Sequence, residues 1–428
     1  MRPRTKIQKQ VIAMANELPP ATTAQREWAF SHLFKPVAKY FKKGEVWCLN
    51  CGHIEPWGKE SELAVSLGCC DYICPHCGAK LTMEHWKGSA VKNEEMFWLV
   101  VPTTYKGWQV MRTYEVERRN RRGEKTERTM REIFQRWISS DGKEIIASRS
   151  YSRSWYYLKW HYDSPFEVKM HNGCTYLGSA DLFDLAGVWV YPRTSVSSTL
   201  RRNGWSNQLL SLERVDPADA MRLLLTSSDA ETAVKTGQVS VFRYMALHGE
   251  KAFKHRKSLN ICNRNGYIIE DATTWVDYIN MLVELGKDIH NAKYVCPEDL
   301  KKAHDRAMKK VEKVRAIRRN EAYVKAHKKY LGLRIVGGGI TIRPLQSVEE
   351  FFEEGRKMHH CVAGYYTYDD SLILTARDED GKRLETIELS LNTFKVVQCH
   401  GKFNKNTKRH RQILDLVKKN IRKFRQAV

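Results

Sequence analysis

The chain has no apolar run long enough to span a bilayer, which argues against a helical membrane protein. Its first residues, Met1 to Asn16, are basic but lack the apolar core of a secretory signal. No disulfide framework is visible. The 11 cysteines are odd in number, and Cys174, Cys262, Cys296, Cys361 and Cys399 are scattered along the chain, which suits a reducing cytoplasm. Internal repeats and low-complexity linkers are absent, and a hydrophobic content of 42% excludes wholesale disorder. Negative charge is also in short supply. Asp and Glu number 49 against 72 Lys and Arg, a net charge of +23 over 428 residues. Such an excess on a folded chain points to a polyanion, with nucleic acid (DNA or RNA) the first candidate; a merely solvated basic surface is the alternative. Twelve Trp and 19 Tyr supply faces for base stacking or for cores.

What is present begins with two cysteine knuckles, Cys48-Leu49-Asn50-Cys51-Gly52 and Cys74-Pro75-His76-Cys77-Gly78. Two thiols three residues apart on a tight turn can both face one ion, and the following glycine tolerates the backbone geometry that this turn needs. Two such pairs form a closed four-thiolate site, expected to bind Zn²⁺ as a structural staple, with rubredoxin-type iron as the alternative. Cys69 and Cys70 have no partner at knuckle spacing.

Five segments follow from the patterning. Residues 1–44 read as two helices parted by Leu18-Pro19-Pro20, the second from Thr23 to Lys43, and residues 45–90 as the ribbon. Residues 91–194 shorten to a period of two and read as an antiparallel β domain. Its Arg118-Arg119-Asn120-Arg121-Arg122-Gly123 reads as a hairpin turn whose arginines could contact phosphates, a solvated turn being the bland alternative. Residues 195–332 are mainly helical. They end in a helix from Pro297 to about Tyr330 with a seam of Leu300, Ala307, Val311, Val314 and Ile317. The rest of that helix is basic, with Lys309, Lys310, Lys313, Arg318 and Arg319 prominent, a face for nucleic acid or for acidic protein partners.

Residues 333–428 form a last module of order αβββα. Ser347-Val348-Glu349-Glu350 starts its first helix, which runs into His359, His360 and Cys361. If Asn392-Thr393 is a two-residue hairpin loop, Ile387 faces Gln398 and Glu385 faces His400, so Gln398 and His400 continue the buried face while Glu388 points away. His360, Cys361, Gln398, His400 and Glu385 then converge, with Lys402 and Asn404 beside them. Three readings compete for this cluster: a cysteine nucleophile with a histidine base, phosphodiester cleavage by histidine or a divalent metal (His359, His360, His400, Glu388, Lys402), and a polar core that binds a ligand or locks the fold.

Met358-His359-His360-Cys361-Val362-Ala363-Gly364-Tyr365-Tyr366, with Ser371-Leu372-Ile373-Leu374, Glu385-Thr386-Ile387-Glu388 and Val397-Gln398-Cys399-His400-Gly401-Lys402-Phe403-Asn404, resembles the signature of the PcfJ-like family. The resemblance covers mainly residues 330–428, and Ala363 stands where that family often carries glycine. It implies a bacterial mobile-element product, plasmid or phage, with partners among that element's proteins and no stated reaction. By position it points at His360, Cys361, Tyr365, Glu388, Gln398, Gly401 and Asn404. The sequence thus reads as a multidomain α+β cytoplasmic protein: N-terminal helices, a zinc ribbon, an antiparallel β domain, a helical middle and a small C-terminal αβββα module. Nucleic-acid binding is the leading expectation. A nuclease or other processing enzyme built on His360, Cys361, His400, Glu388, Gln398 and Asn404 is the second.

Overall fold

The computed structural model describes residues 2–41, 44–57, 71–86, 92–153, 158–171 and 181–427. Cys69, Cys70 and Cys174 lie outside them, as do Lys42 and Lys43 at the expected helix end. The fold is mixed α+β, divided into two compact units, residues 1–273 and 274–428.

The first unit opens with helices Lys6–Glu17 and Thr23–His32. Each starts at a capping box, Thr5 with Gln8 and Thr22 with Gln25, which satisfies amides at the helix start that have no partner of their own. The second helix stops at His32, well short of the expected Lys43. Pro36 has no N–H to donate and disfavours helical backbone at Lys35, so the chain leaves the helix and enters strand β1, Val37–Phe41.

Strand β1 is the centre of the ribbon sheet, which therefore begins at Val37 and not at residue 45. Strands β2 (Glu45–Cys48), β3 (Ile54–Pro56), β4 (Asp71–Ile73) and β5 (Lys80–His85) join it in the order β3-β2-β1-β5-β4. β1 runs antiparallel to β2 and parallel to β5. Ala38, Tyr40, Val46, Tyr72, Leu81 and Met83 form its small core.

Strands β6 (Lys92–Tyr105), β7 (Trp108–Arg121), β8 (Glu127–Ile138) and β9 (Glu144–Ser148) make a meander. A separate hairpin follows, β10 (Tyr151–Arg153) with β11 (Leu158–Trp160). β12 (Glu167–Lys169) and β13 (Trp189–Val190) complete a six-stranded sheet of order β12-β9-β8-β7-β6-β13, antiparallel except where β13 meets β6. The two N-terminal helices pack on this sheet. Val11, Met14 and Ala15 meet Val110 and Trp137, while Ala29, Leu33 and Phe34 meet Leu99, Val101, Tyr114 and Val116.

A charged cluster joins β8 and β9 to the helices that follow. The Arg136 side chain is fully buried and donates to Glu144, Asp216 and Asp219. Asp216 also caps helix Pro217–Thr226 through the amides of Ala218 and Asp219. Burial works against a charge on Glu144, but His171, Arg136 and Arg222 more than offset it and hold its carboxyl at about 2. Relative to an ordinary value of 4.5, that depression contributes about 3 kcal/mol at neutral pH. A depressed carboxylate stabilises above its unfolded-state value and loses that effect as the pH falls toward its folded one. A Glu144→Gln variant is therefore expected to unfold at lower urea than wild type at pH 7, with the gap closing between about pH 4.5 and 2. A gap unchanged across that window would show that Glu144 acts by shape and not by charge.

Helix Ala272–Glu284 leads into the second unit, and Asp299 caps helix Leu300–Leu331. The expected seam holds at Ala307, Val311 and Val314 but not at Ile317, which is 58% exposed. Residues 315–319 are exposed all round, and the inner face resumes at Tyr323, His327 and Tyr330. The sheet that follows has order β14-β15-β16-β17-β18: Ile335–Gly337, Ile340–Pro344, Ser371–Asp378, Arg383–Ser390 and Val396–His400. Strand β16 is covered on both sides. Leu372, Leu374 and Ala376 pack with Ile387, Leu389 and Cys399 against Ile413, Val417 and Phe424 of the C-terminal helices. Ile373 packs the other way, with Val348 and Phe351 of helix Val348–Met358 and with Val362 and Tyr323. The expected αβββα order is present, preceded by the β14–β15 hairpin.

Candidate functional site

Sulfur geometry marks the first site. Cys48, Cys51, Cys74 and Cys77 bring their Sγ atoms within 4.8 Å of one another, with Cys48 to Cys77 and Cys51 to Cys74 both at 3.8 Å. A tetrahedron with metal–sulfur bonds of about 2.3 Å has edges of about 3.8 Å, so the four thiols already stand where such an ion needs them. Each knuckle is closed by its glycine, with Gly52 N–H donating to Cys48 O and Gly78 N–H to Cys74 O at 2.8 Å. Burial pushes the Cys51 thiol up to about 11, whereas at Cys77 burial works the same way but hydrogen bonds from the Asn50 side chain and the Ala79 backbone outweigh it and bring the thiol down to about 7.

The β7–β8 hairpin, expected as an exposed basic finger, is partly buried on this site. β7 continues to Arg121, so Arg118 and Asn120 are strand residues and not turn residues. Arg118 is 4% exposed and donates to Glu95 and to Lys35 O, which removes it from any phosphate-binding surface. Asn120 donates to Leu49 O at 2.9 Å, and Arg128 to Asn50 O at 2.9 Å. Gly52, at φ +90°, lies so close that an added Cβ would stand 2.1 Å from Glu124 O. Arg119 pairs with Glu117 and Arg122 with Glu45, leaving Arg121 exposed and without an ion pair among the described residues.

The second site is a pocket of about 290 Å³ lined by His360, Cys361, Val362, Tyr365, Ile373, Thr386, Glu388, Gln398, His400 and Asn404. All six candidate catalytic residues line it, from three separated stretches of chain. Helix Val348–Met358 brings the first stretch. Its C-cap His359 adopts φ 55°, which turns the chain so that His360 and the 3-10 segment Cys361–Thr367 pass over the sheet.

Strands β17 and β18 bring the rest, in a register different from the one expected. Leu389 pairs with Val396 as the two-residue loop requires, but Glu388 pairs with Gln398, Ile387 with Cys399 and Thr386 with His400. Val397 is an extra residue, 60% exposed, and the bulge it forms shifts all later pairs by one. Because side chains alternate along a strand, that one-residue shift turns Gln398 and His400 off the core face. It also puts Glu388 on their side, contrary to the regular register, which separates them. Glu385 leaves the pocket for the opposite face.

Within the pocket Glu388 is fixed by Ser371 Oγ at 2.7 Å and by the Gln398 amide at 2.6 Å, and that amide lies 3.4 Å from Tyr365 OH. His360 Nε2 lies 2.6 Å from Gly401 O, so this nitrogen carries the proton and donates. Gly401 cannot be larger, since a Cβ there would stand 2.6 Å from Lys405 O. His400 Nδ1 is buried with no hydrogen-bond partner among the described residues. Cys361 is exposed. The arrangement holds an imidazole, a thiol and an anchored carboxylate around one small space, a set suited to general acid–base or nucleophilic chemistry. Glu354 escaped the sequence reading. Fully buried, it accepts from Thr386 Oγ at 2.9 Å and Arg383 Nε at 2.6 Å. Its signal was an acid three residues after Phe351 and four before Met358, on the apolar stripe of its helix.

Glu385, Cys399 and His410 form a further cluster behind the sheet. Cys399 Sγ lies 2.9 Å and His410 Nδ1 2.7 Å from Glu385 Oε2, while Thr407 N and Oγ donate to Oε1. These are hydrogen-bond lengths, shorter than the edges of a metal tetrahedron, so the cluster reads as a satisfied buried carboxylate that fastens the start of helix His410–Lys419.

On the long helix Lys309, Lys310, Lys313, Arg318 and Arg319 are all exposed, and none has an ion pair among the described residues. Arg315 beside them is neutralised by Glu284 at 2.7 Å.

No curated protein and no solved structure matches the chain. Residues 274–414 match the family model described as PcfJ-like protein, a span that starts at the boundary of the second unit. It takes in the basic helix, which lies ahead of residues 330–428, where the sequence motifs resemble the family. The chain therefore carries a PcfJ-like domain, built from its second unit and holding both the long basic helix and the His360–His400 pocket.

Proposed function

We propose that this is a nucleic-acid-binding protein, with a structural zinc ion on Cys48, Cys51, Cys74 and Cys77 holding the ribbon. The observation that carries the reading is the run of five exposed cations on helix Leu300–Leu331 that have no ion pair among the described residues. Cations left unpaired beside a neutralised Arg315 keep their field for an external polyanion, and phosphates are the commonest one. The PcfJ-like resemblance supports service to a plasmid or phage, and cysteines scattered without a disulfide framework suit the cytoplasm. No helix among the described residues is long and apolar enough to cross a membrane. Labelled single- and double-stranded DNA and RNA, titrated across salt with the zinc-loaded chain, test the reading. It requires affinity that falls steeply as salt rises; binding indifferent to salt would overturn it.

One observation favours a second reading, that the domain also processes nucleic acid. Six residues from three stretches of chain meet in one pocket where one ring nitrogen of His400 has no hydrogen-bond partner among the described residues. The same titrations, run with and without divalent metal, would then show cleavage that His400→Ala abolishes in a folded, zinc-loaded protein.

A further inference from the structure

Next to the pocket the chain passes through Lys402-Phe403-Asn404-Lys405-Asn406, every residue of it exposed. Phe403 is 58% exposed, at φ 59°, and Asn404 has the same φ. A bulky residue gains nothing locally from positive φ, and an aromatic ring left in water forgoes the stabilisation that burial would give it. The ring is nonetheless held in a defined place. It stacks on His359, itself exposed at φ 55°, with centroids 4.3 Å apart and planes 17° from parallel. Lys402 Nζ lies 5.3 Å from the Phe403 centroid. Lys402, Lys405 and Lys408 have no ion pair among the described residues. Asn404, the next residue, lines the pocket.

We propose that the His359–Phe403 stack is a platform for one unpaired base of a single-stranded nucleic acid. Lys402, Lys405 and Lys408 would meet the flanking phosphates, and the adjoining phosphodiester would lie toward the His360–His400 pocket. Bases stack on aromatic rings without regard to sequence, and cations along the same groove follow the backbone. A base inside a duplex has both faces covered by its neighbours, so only an unpaired or terminal base can use the platform. The inference rests on the nucleic-acid reading above and adds to it the state of the strand.

The test is fluorescence anisotropy of the full zinc-loaded chain with labelled oligothymidylate, oligouridylate and a duplex of matched length. Wild type is expected to prefer the single strands. Phe403→Ala should lose roughly tenfold in single-strand affinity, the scale of one base–aromatic stack, while Phe403→Tyr keeps it within about twofold. Duplex affinity and the slope of affinity against salt should stay unchanged in both variants, because stacking releases no counterions. Thymidylate and uridylate each count in favour and identify the sugar. If wild type binds with normal salt sensitivity but Phe403→Ala weakens both strand forms equally, or neither, this inference falls and the nucleic-acid reading stands. Polyglutamate competing as well as oligonucleotide would overturn the platform in favour of an acidic protein partner. If wild type binds no nucleic acid at all, the underlying reading fails and the platform with it.

Discussion

Replacing Cys48 and Cys74 with serine in the full chain is expected to abolish metal binding and unfold the ribbon, Val37 to His85, in one step. The core beneath the cysteines is small, resting on Ala38, Tyr40, Val46, Tyr72, Leu81 and Met83. A structural four-thiolate zinc contributes about 10–16 kcal/mol near neutral pH, as much as the whole stability of an ordinary domain, about 5–15 kcal/mol. The loss should spread. Asn120 is fully buried because Leu49 O accepts its amide, and Thr126 N–H donates to Cys51 O. Without the knuckle the tip of the β7–β8 hairpin keeps a buried amide with one partner fewer, at about 1–3 kcal/mol. Metal analysis with hydrogen exchange would show about one zinc per wild-type chain and protected amides in β1, β2 and β5. The serine variant should lose both, with amides of β16 and β17 still protected. A chelated protein that keeps β1 protected would refute the staple.

A fivefold neutralisation of the long helix, Lys309, Lys310, Lys313, Arg318 and Arg319 to glutamine, is expected to cost roughly 10³ in nucleic-acid affinity at physiological salt. Each phosphate contact adds about 0.7–0.9 to the slope of log affinity against log salt, so five account for a slope of roughly 4. Wild type should then lose several hundredfold between 50 and 200 mM salt through these contacts alone, and the variant should be flatter by that amount. Folding should be indifferent to the change, because all five side chains are exposed and glutamine is nearly as good a helix former. Anisotropy titrations at several salt concentrations give both numbers. A variant with weaker binding but an unchanged slope would place the phosphate contacts elsewhere, with Arg121 and Lys402 the next residues to change.

The two sites differ in how much of each could be read before folding. The cysteine knuckles are local devices: three-residue spacing and a following glycine aim two thiols at one point, whatever surrounds them. The capping boxes at Thr5 and Thr22 are equally local. The six pocket residues were recognisable as types, because histidines, a cysteine and a glutamine at the rim of a core sheet need partners. Their faces were not. A bulge at Val397 adds one residue to β18, and nothing in Val396-Val397-Gln398 distinguishes a bulged strand from a regular one. What selects it is packing. Cys399 must reach the Ile413 and Val417 layer while Gln398 meets Glu388.

The same division runs through the charges. The four-cysteine ribbon, the α+β character, the C-terminal order of elements and the excess of positive charge were all legible before folding, since each follows from spacing, periodicity or composition within a short window. Which charges remain available was settled by folding. Arg118 and Arg136 are spent inside the first unit on Glu95 and on Glu144 with Asp216, whereas Lys309, Lys310 and Lys313 stay in water. Strand Val37–Phe41 and the shared face of Glu388 and His400 likewise depend on segments distant in sequence. The physical reason is common to all of them: a side chain's exposure and pairing are settled by what packs opposite it, which no local window of sequence contains.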